Sequence, residues 1–360
     1  DGAEIRLERN AYYRTDSGAP AFDSLVFRFV EPGSSALEQL QTGECDVLEE
    51  ALLPSVEVAS LISRAEAGDY ELTGVPGPAV ERLDFNLQPV EGQSLFEDVR
   101  TRRGLAACLN RNEIAEGVAG GYTAVPATYL PISHPLYVPG DDPVAFDPVL
   151  AERDLKEAGW VLAEQGAEVR TASGVEGVPD GTPLAFDLYV LQGALSEQVG
   201  AEVVADMQAC GADVALQPLP AEELFAGWPD GPVFGRRFGA VVWAWPAFAS
   251  PSCEMFAGWE VPSDERPLGI NASGYTGSAY AAACRSMLLS PPDAPAFNEA
   301  VRTIQSEFVG DVPGVPIYQR PRLLAHAAWL CEVEIDASAV TAYRTIERWR
   351  PCPVDGPGSQ

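Results

Sequence analysis

The sequence lacks the segments and motifs that would make a membrane protein or a standard enzyme. It has no run of about 18 apolar residues, which a membrane-spanning helix needs. It also lacks the G-x-S-x-G, Walker and Rossmann glycine patterns. Its only histidines are His134, in a proline-flanked loop, and His326, in an apolar strand where a structural role is expected. We therefore predict no catalytic residue, no metal site and no cofactor.

Positive charge is scarce. Lysine and arginine total 23 against 53 acidic residues, Lys156 is the only lysine, and the net charge is −30. A chain this acidic is repelled by nucleic acid and by anionic membrane surfaces, so neither is expected as a partner. The balance of 46% hydrophobic and 21% charged residues is typical of a soluble globular protein. A length of 360 residues favours two domains.

The seven cysteines show no C-x-x-C spacing, which argues against a zinc ribbon or a thioredoxin-like motif. Cys253 with Cys284, and Cys331 with Cys352, are the predicted disulfides, because each lies in or beside a loop-rich segment. One or two bridges fit an exported protein. The cysteines in or beside helical patterns, predicted to be buried free thiols, are Cys45, Cys108 and Cys210.

Alternating strand and helix patterns indicate an α/β architecture. In the second half, a strand pattern at 183–190 precedes a helix at 196–210, a strand at 213–217, a short helix at 221–228 and a strand ending at 245. Earlier helices carry clear start signals, with Asp98 and Asp147-Pro148 as predicted caps. Further helices are predicted at 278–289 and 295–309. Late strands are predicted at 315–319 and 323–328.

The segment 238–251 reads as a strand that is apolar on both faces, followed by a loop. Val241, Trp243 and Trp245 alternate with small apolar residues, and Pro246 ends the strand because it cannot donate to a ladder. Ligands of open α/β sheets collect beyond the carboxyl ends of such strands. This segment is therefore a candidate binding site, and the alternative is that both tryptophans belong to the core.

Several segments, taken in order, carry the motifs of one protein family. Leu7-Glu-Arg-Asn-Ala-Tyr12 is similar to the motif L-x-R-N-x-x-Y, and 27–46 to the stretch F…A…L…G-E-x-D. Residues 85–114 resemble FN…PFxDxRVRQALxxAIDRxxI, and 147–160 resemble YDPxxAxxLLxEAGW. Val315-Pro-Ile-Tyr-Gln319 resembles a return strand near the carboxyl end. Together these segments resemble the extracellular solute-binding proteins of family 5, the oligopeptide and dipeptide type receptors of ABC importers.

The resemblance implies a two-lobe α/β fold of the periplasmic-binding-protein type (class II, cluster C-like). Crossing hinge strands would join the lobes and solute would lie between them. Residues 1–87 and 318–360 would form lobe I, and 88–317 lobe II. Family members carry further strands and a domain before the L-x-R-N segment, which begins here at Leu7. We therefore expect an N-terminally truncated fragment, without its signal and any lipid-anchor cysteine.

The resemblance also assigns ligand contacts. Trp245 keeps the tryptophan of the family's W-G-x-D-Y-x-D-P region, and Phe248 stands where an aspartate commonly pairs with a peptide's amino group. No acidic residue occurs between Val241 and Cys253, so this loop offers aromatic contact and no anchor for an ammonium group. The ligand-binding candidates are Trp245, Phe248, Trp243, Tyr275, Asn86 and Gln192. For Asn86 the alternative is satisfaction of backbone groups.

The predicted function is that of an extracytoplasmic receptor of an ABC importer, periplasmic or on the outer face of the cell membrane, with lipid anchoring through the missing N-terminus. It would be a monomer that traps a peptide-like, oligosaccharide or other solute by hinge closure and presents it to a membrane permease. Modified or apolar peptides fit the aromatic loop better than free peptide N-termini. The alternatives are a secreted carbohydrate-active or peptide-hydrolysing enzyme, and a signalling receptor without a permease.

Overall fold

The chain folds into two units, seen in a computed structural model that describes residues 4–13, 19–30, 34–49, 58–140, 142, 144–162, 166–247, 249–339 and 341–353. The first unit comprises residues 1–77, 119–123 and 321–360. The second comprises residues 78–118 and 124–320. Phe248, one of the predicted ligand contacts, lies outside the described residues.

The elements alternate between strand and helix along most of the chain. In the first half they are β1 (Glu4–Glu8), β2 (Ser24–Arg28), α1 (Ser34–Gln41), β3 (Val47–Glu49), α2 (Val58–Glu66), β4 (Glu71–Phe85), α3 (Val99–Cys108), α4 (Arg111–Ala119) and α5 (Pro148–Glu157). In the second half they are β5 (Trp160–Val161), β6 (Thr171–Ala172), β7 (Ala185–Leu191), α6 (Ala194–Ala209), β8 (Asp213–Leu219), α7 (Ala221–Leu224), β9 (Ala240–Pro246), α8 (Ser278–Leu289), α9 (Pro295–Asp311), β10 (Gly314–His326), β11 (Leu330–Cys331) and β12 (Arg350–Pro351).

In its described residues, the first unit contains three short antiparallel strand pairings and two apolar clusters. β1 pairs with β2, and β3 pairs with the end of β10, with Leu48 opposite Ala325. β11 pairs with β12, and the cluster beside them holds Leu330 and Trp349. The helix α1 buries Leu37 and Leu40, and α2 buries Leu61, in a cluster that also holds Leu323. Gly43 follows α1 with φ +73°, the left-handed conformation that closes helices and that favours glycine.

The second unit is built on a mixed sheet in the order β10-β4-β9-β7-β8. β7 is parallel to both β8 and β9, and β9 is antiparallel to β4. The succession β7-α6-β8-α7-β9 is the β-α-β-α-β pattern that the sequence predicts. Gly200 of α6 lies so near β7 and β8 that a Cβ there would be 2.7 Å from Leu216 and 2.8 Å from Val190. A glycine at this point lets the helix pack closely on the sheet.

Local sequence signals locate the helix starts correctly. The Asp98 carboxylate accepts from the backbone N–H of Arg100 at the start of α3. Asp147 caps α5 in the same way, with Pro148 in the first turn. The two predicted late strands are one continuous strand, β10, because the backbone at 320–322 stays extended through Pro321.

The lobe boundaries stay a prediction, and the two compact units divide the chain at other positions. The first boundary falls between residues 77 and 78 rather than 87 and 88, and the last between 320 and 321 rather than 317 and 318. β4 is one unbroken strand, but from Ala79 onward it pairs with β9 and so packs with the second unit. The return of residues 119–123 to the first unit was not predicted.

Three disulfides are present. Cys253 is bonded to Cys284 and Cys331 to Cys352, the pairs proposed from sequence. The prediction of free thiols at Cys108 and Cys210 was wrong, because these two are bonded to each other. The ends of α3 and α6 bring residues 102 positions apart together, which local patterns do not reveal. Cys45 is free and half-buried, and burial raises the pKa of its thiol.

Acidification is expected to destabilise the first unit through His326. This side chain is buried beside Thr73, 3.1 Å from its hydroxyl, and burial lowers the pKa of the imidazole below 6.5. Because the neutral form is favoured in the folded state, stability is lost as the pH falls below about 6.5, where the unfolded chain binds the proton first. Urea unfolding between pH 7.5 and 5.5 should show this slope, at most about 1.4 kcal/mol per pH unit.

The variant His326→Gln should show a smaller slope over the same pH range, whereas His134→Gln should retain the slope of the parent chain. His134 accepts from the backbone N–H of Leu136 in the second unit. An unchanged pH slope in His326→Gln would assign the acid sensitivity to other groups.

Within the described part of the chain, no helix has the length and apolar character to cross a membrane.

Candidate functional site

The pairing of β4 with β9 brings charged and aromatic side chains to one face of the sheet. Arg82 lies opposite Trp243 and Val80 opposite Trp245 in the antiparallel register. Opposite residues of an antiparallel pair project to the same face, so this face carries Val80, Arg82 and Asp84 beside the two tryptophans. The sequence predicts this alternation for β9.

Arg82 and Asp84 form a buried ion pair, with side chains 1% and 2% exposed. The Nε atom of Arg82 donates to both carboxylate oxygens of Asp84, at 2.8 and 2.9 Å. The guanidinium also lies against two aromatic rings, 5.0 Å from the centre of the Trp243 ring and 5.2 Å from that of Phe256. Pairing and cation–π contact together offset the cost of removing these charges from water.

Gly314, the first residue of β10, leaves room for the Asp84 carboxylate. A Cβ at Gly314 would stand 2.3 Å from Oδ1 of Asp84, closer than any side-chain carbon can approach. Position 314 therefore requires a glycine, because the Asp84 carboxylate lies against its backbone. In this way the backbone of β10 borders the charged cluster.

Trp243 is a core residue of this cluster. It is 5% exposed and its indole Nε1 donates to Oδ2 of Asp84 at 2.5 Å. Phe225 stacks on the ring at 5.7 Å, and Phe234 meets it edge-on at 6.1 Å. The hydrogen bond to Asp84 thus fixes the N–H edge of the indole, and the two phenylalanines pack against the ring.

Trp245 differs from Trp243 in two respects. It is only partly buried, and its Nε1 is enclosed without any hydrogen-bond partner in the described structure. Its ring meets Trp243 edge-on at 5.5 Å and also packs against the cluster around Phe256. An enclosed N–H without an acceptor is costly, and a bound acceptor would satisfy it.

A second charged group lies on the opposite face of β4. Glu81 is 1% exposed, and Nε of Arg320 donates to Oε2 of its carboxylate. The other oxygen, Oε1, has no partner in the described structure. The buried hydroxyl of Tyr318 lies nearby; burial and the negative charge of Glu81 raise its pKa, and Arg320 opposes that shift. All three side chains belong to the second unit.

The other sequence candidates differ in their surroundings, and Tyr275 belongs to the apolar cluster against which Trp245 packs. Tyr275 is 5% exposed and its hydroxyl donates to Asp311; burial and this partner raise its pKa. The Asn86 amide donates to the carbonyls of Arg236 and Phe238, at 3.0 and 2.8 Å, which is the backbone role weighed from sequence. Asn86 also lines a cavity of about 350 Å³. Gln192 is exposed just beyond β7.

Sequence reasoning missed Arg82, Asp84 and Glu81. Alternation along the strand places Leu83 and Phe85 on one face and the charged Arg82 and Asp84 on the other. Both faces are covered, so the charged residues are buried as well. A signal was available in the sequence. Charged residues of both signs, at 81, 82 and 84, stand within a strand pattern directly before Phe85 and Asn86.

The described residues offer no convincing metal centre. The one group of potential ligands in that part of the chain consists of Cys253, Glu254 and Cys284. The two cysteines are bonded to each other and so present no thiolate.

The chain matches known proteins along most of its length. The sequence profile described as bacterial extracellular solute-binding proteins, family 5 middle, matches residues 1–265. The nickel-binding periplasmic protein of Escherichia coli (strain K12) is 26% identical over 227 residues, which are 61% of this chain and 40% of that protein.

Two solved structures show the same fold. NikA from Brucella suis, in complex with Fe(III)-EDTA, has a TM-score of 0.75 at 20% identity, covering 97% of this chain and 66% of that one. The oligopeptide-binding protein AppA from Bacillus subtilis, in complex with a nonapeptide, has a TM-score of 0.68 at 19% identity, covering 98% and 65%. The chain thus spans two fifths of the curated relative and just under two thirds of these structures.

The family and the relatives named are solute-binding proteins, and none of them supports the alternative of an enzyme. The profile covers well over half of the 360 residues, and the structural matches agree with the α/β fold. By its sequence, therefore, this chain belongs to the bacterial extracellular solute-binding proteins of family 5.

Proposed function

We propose that this chain is the solute-contacting part of an extracytoplasmic receptor that serves an ABC importer, and that Trp245 contacts the solute. Family membership supports solute binding as the activity. The observation that carries the assignment to Trp245 is its enclosed indole N–H without an acceptor. The solute supplies a carbonyl, hydroxyl or other acceptor to this N–H and packs on the ring.

The charge distribution supports a solute that is held without an ammonium anchor. No acidic residue lies between Val241 and Cys253. The acid on the tryptophan face of β4, Asp84, is already paired with Arg82 and bonded to Trp243. A carboxylate so engaged is a poor partner for a peptide's amino group. Peptides with a blocked amino terminus, and oligosaccharides that stack on aromatic rings, fit this face best.

The disulfides support an oxidising compartment. In the described part of the chain, six cysteines form three bridges and Cys45 alone is free. Disulfides persist outside the cytosol, where thiols are not kept reduced. The receptor therefore acts outside the cytoplasmic membrane, in agreement with the family's description as extracellular, and delivers its solute to a permease.

A thermal-shift and calorimetric screen tests the proposal with paired probes: a tripeptide with a free amino terminus, the same tripeptide N-acetylated, and a set of oligosaccharides. Trp245→Phe should weaken binding of the best probe by about tenfold, because the indole N–H is lost while most ring contact is kept. Trp259→Phe is the matched control, since Trp259 is also partly buried and packs against the same apolar cluster. That variant should bind as the parent chain does.

Acetylation of the tripeptide should leave the affinity unchanged or raise it. A loss of affinity of tenfold or more on acetylation would overturn the absence of an ammonium anchor. Hydrolysis of any probe would favour the secreted enzyme over the receptor. Equal losses of affinity in Trp245→Phe and Trp259→Phe would contradict the assignment of Trp245 as a solute contact.

A further inference from the structure

We propose that Asp84 is a positioning residue that sets the orientation of the Trp245 ring through Trp243. The inference deepens the proposed function, on which it rests, because it names the residue that determines the shape of the solute-contacting face. The juxtaposition that carries it is the chain of contacts Arg82–Asp84–Trp243–Trp245 within the second unit.

The first link is electrostatic. Asp84 is 1% exposed, its carboxylate accepts from Arg82, and Gly314 leaves the space that the carboxylate occupies. Buried charge pairs of this kind have few alternative arrangements, because any rotation that breaks the pair leaves a charge uncompensated in the interior.

The second link fixes Trp243. A tryptophan has two side-chain torsions, and a hydrogen bond from Nε1 determines which way the indole plane points. That bond goes to Oδ2 of Asp84 at 2.5 Å. Phe225 stacks on the same indole with an interplanar angle of 29°, so the ring is held by a directional bond and by packing.

The third link transmits the orientation to Trp245. Among the described residues, Nε1 of Trp245 has no hydrogen-bond partner, so packing orients the ring. Trp243 supplies an edge-to-face contact at 5.5 Å and 72°. A change in the plane of Trp243 therefore changes the direction in which the free N–H of Trp245 points, and with it the solute that the face accepts.

The experiment uses the full 360-residue chain labelled with 5-fluorotryptophan. Each of the seven tryptophans of the chain then contributes one ¹⁹F resonance. Trp243→Phe and Trp245→Phe assign the two resonances of interest. In Asp84→Asn, an NH2 group replaces one acceptor oxygen, so Arg82 and Trp243 compete for the oxygen that remains. Both resonances should therefore move, while those of the remaining tryptophans stay in place. This readout requires no solute, so it decides the inference even if the proposed function fails.

The matched control is Asp154→Asn. Asp154 is a fully buried carboxylate of the second unit, paired with Arg103 and Arg153. Its loss should lower stability without moving either resonance, which separates positioning from general destabilisation. A Trp245 resonance that stays in place in Asp84→Asn while Trp243 moves would overturn the proposal, as would an equal shift in Asp154→Asn.

The solute arm uses the N-acetylated tripeptide as its probe. Asp84→Asn should weaken binding about tenfold, in line with the loss expected for Trp245→Phe, and Asp154→Asn should not weaken it. A shifted Trp245 resonance with no binding of the probe by the parent chain would contradict the proposed function and leave the positioning role established. Unshifted resonances, together with binding of the probe by the parent chain, would contradict the positioning role and leave the proposed function intact.

Discussion

Replacing Arg82 with methionine is expected to lower the free energy of unfolding of the second unit by about 3–5 kcal/mol. The substitution keeps much of the side-chain volume but leaves the Asp84 carboxylate buried without its cation. An uncompensated buried charge is among the most destabilising changes that a single substitution can make. Urea unfolding followed by tryptophan fluorescence and by circular dichroism measures the loss.

Arg103→Met is the matched control. Arg103 is also paired with a buried carboxylate, that of Asp154, but Asp154 keeps Arg153 as a second cation when Arg103 is removed. The expected loss is therefore smaller, about 1 kcal/mol. Comparable losses in the two variants would show that the second cation at Asp154 does not reduce the cost.

The double variant Arg82→Met with Asp84→Asn should recover most of the stability lost in Arg82→Met. Neutral asparagine leaves no uncompensated charge, and its side-chain oxygen can still accept from Nε1 of Trp243. Replacing both members of a buried pair is often close to neutral, whereas removing one is not. Additive losses in the double variant would argue against a coupled pair.

Removing the Cys108–Cys210 bridge by substituting both cysteines with alanine is expected to cost about 5 kcal/mol of the stability of the second unit. The bridge closes a loop between residues 102 positions apart, so it restricts the unfolded chain strongly. The same change at Cys253 and Cys284, 31 positions apart in the same unit, should cost about 4 kcal/mol. Denaturant titration of both variants measures the difference.

The two loops do not overlap along the chain, so each loss of stability can be attributed to its own bridge. The informative result is which of the two losses is larger. If removal of the Cys253–Cys284 bridge cost more, core packing at Cys253 and Cys284, which are both fully buried, would outweigh loop closure. Retention of full stability without the Cys108–Cys210 bridge would contradict the structural role of that bridge altogether.

Sequence alone identifies the elements whose signals are local. Asp98 and Asp147 cap helices where a side-chain oxygen precedes an apolar repeat, and the predicted range of α8, 278–289, agrees with the structure. The alternation in β9 predicts which side chains share a face with Trp245. These features depend on neighbours within a few positions, so a pattern of a few residues suffices to reveal them.

Tertiary structure alone determines the features that join distant segments. The Cys108–Cys210 bridge, the boundary at residue 77, and the burial of Arg82 and Asp84 all depend on which strand or helix packs against which. Alternation along β4 cannot show that both of its faces are covered, and so it cannot separate a solvated charge from a buried one.

The tryptophans of β9 show this division most clearly. The sequence by itself determines that Trp243 and Trp245 lie on one face of a strand that ends at Pro246, and the family resemblance marks that strand end as a solute contact. Only the packed structure separates their environments: Asp84 from β4 accepts from the N–H of Trp243, while no described residue accepts from the N–H of Trp245. The physical reason is that a hydrogen-bond partner is supplied by another strand, whose register no local pattern specifies.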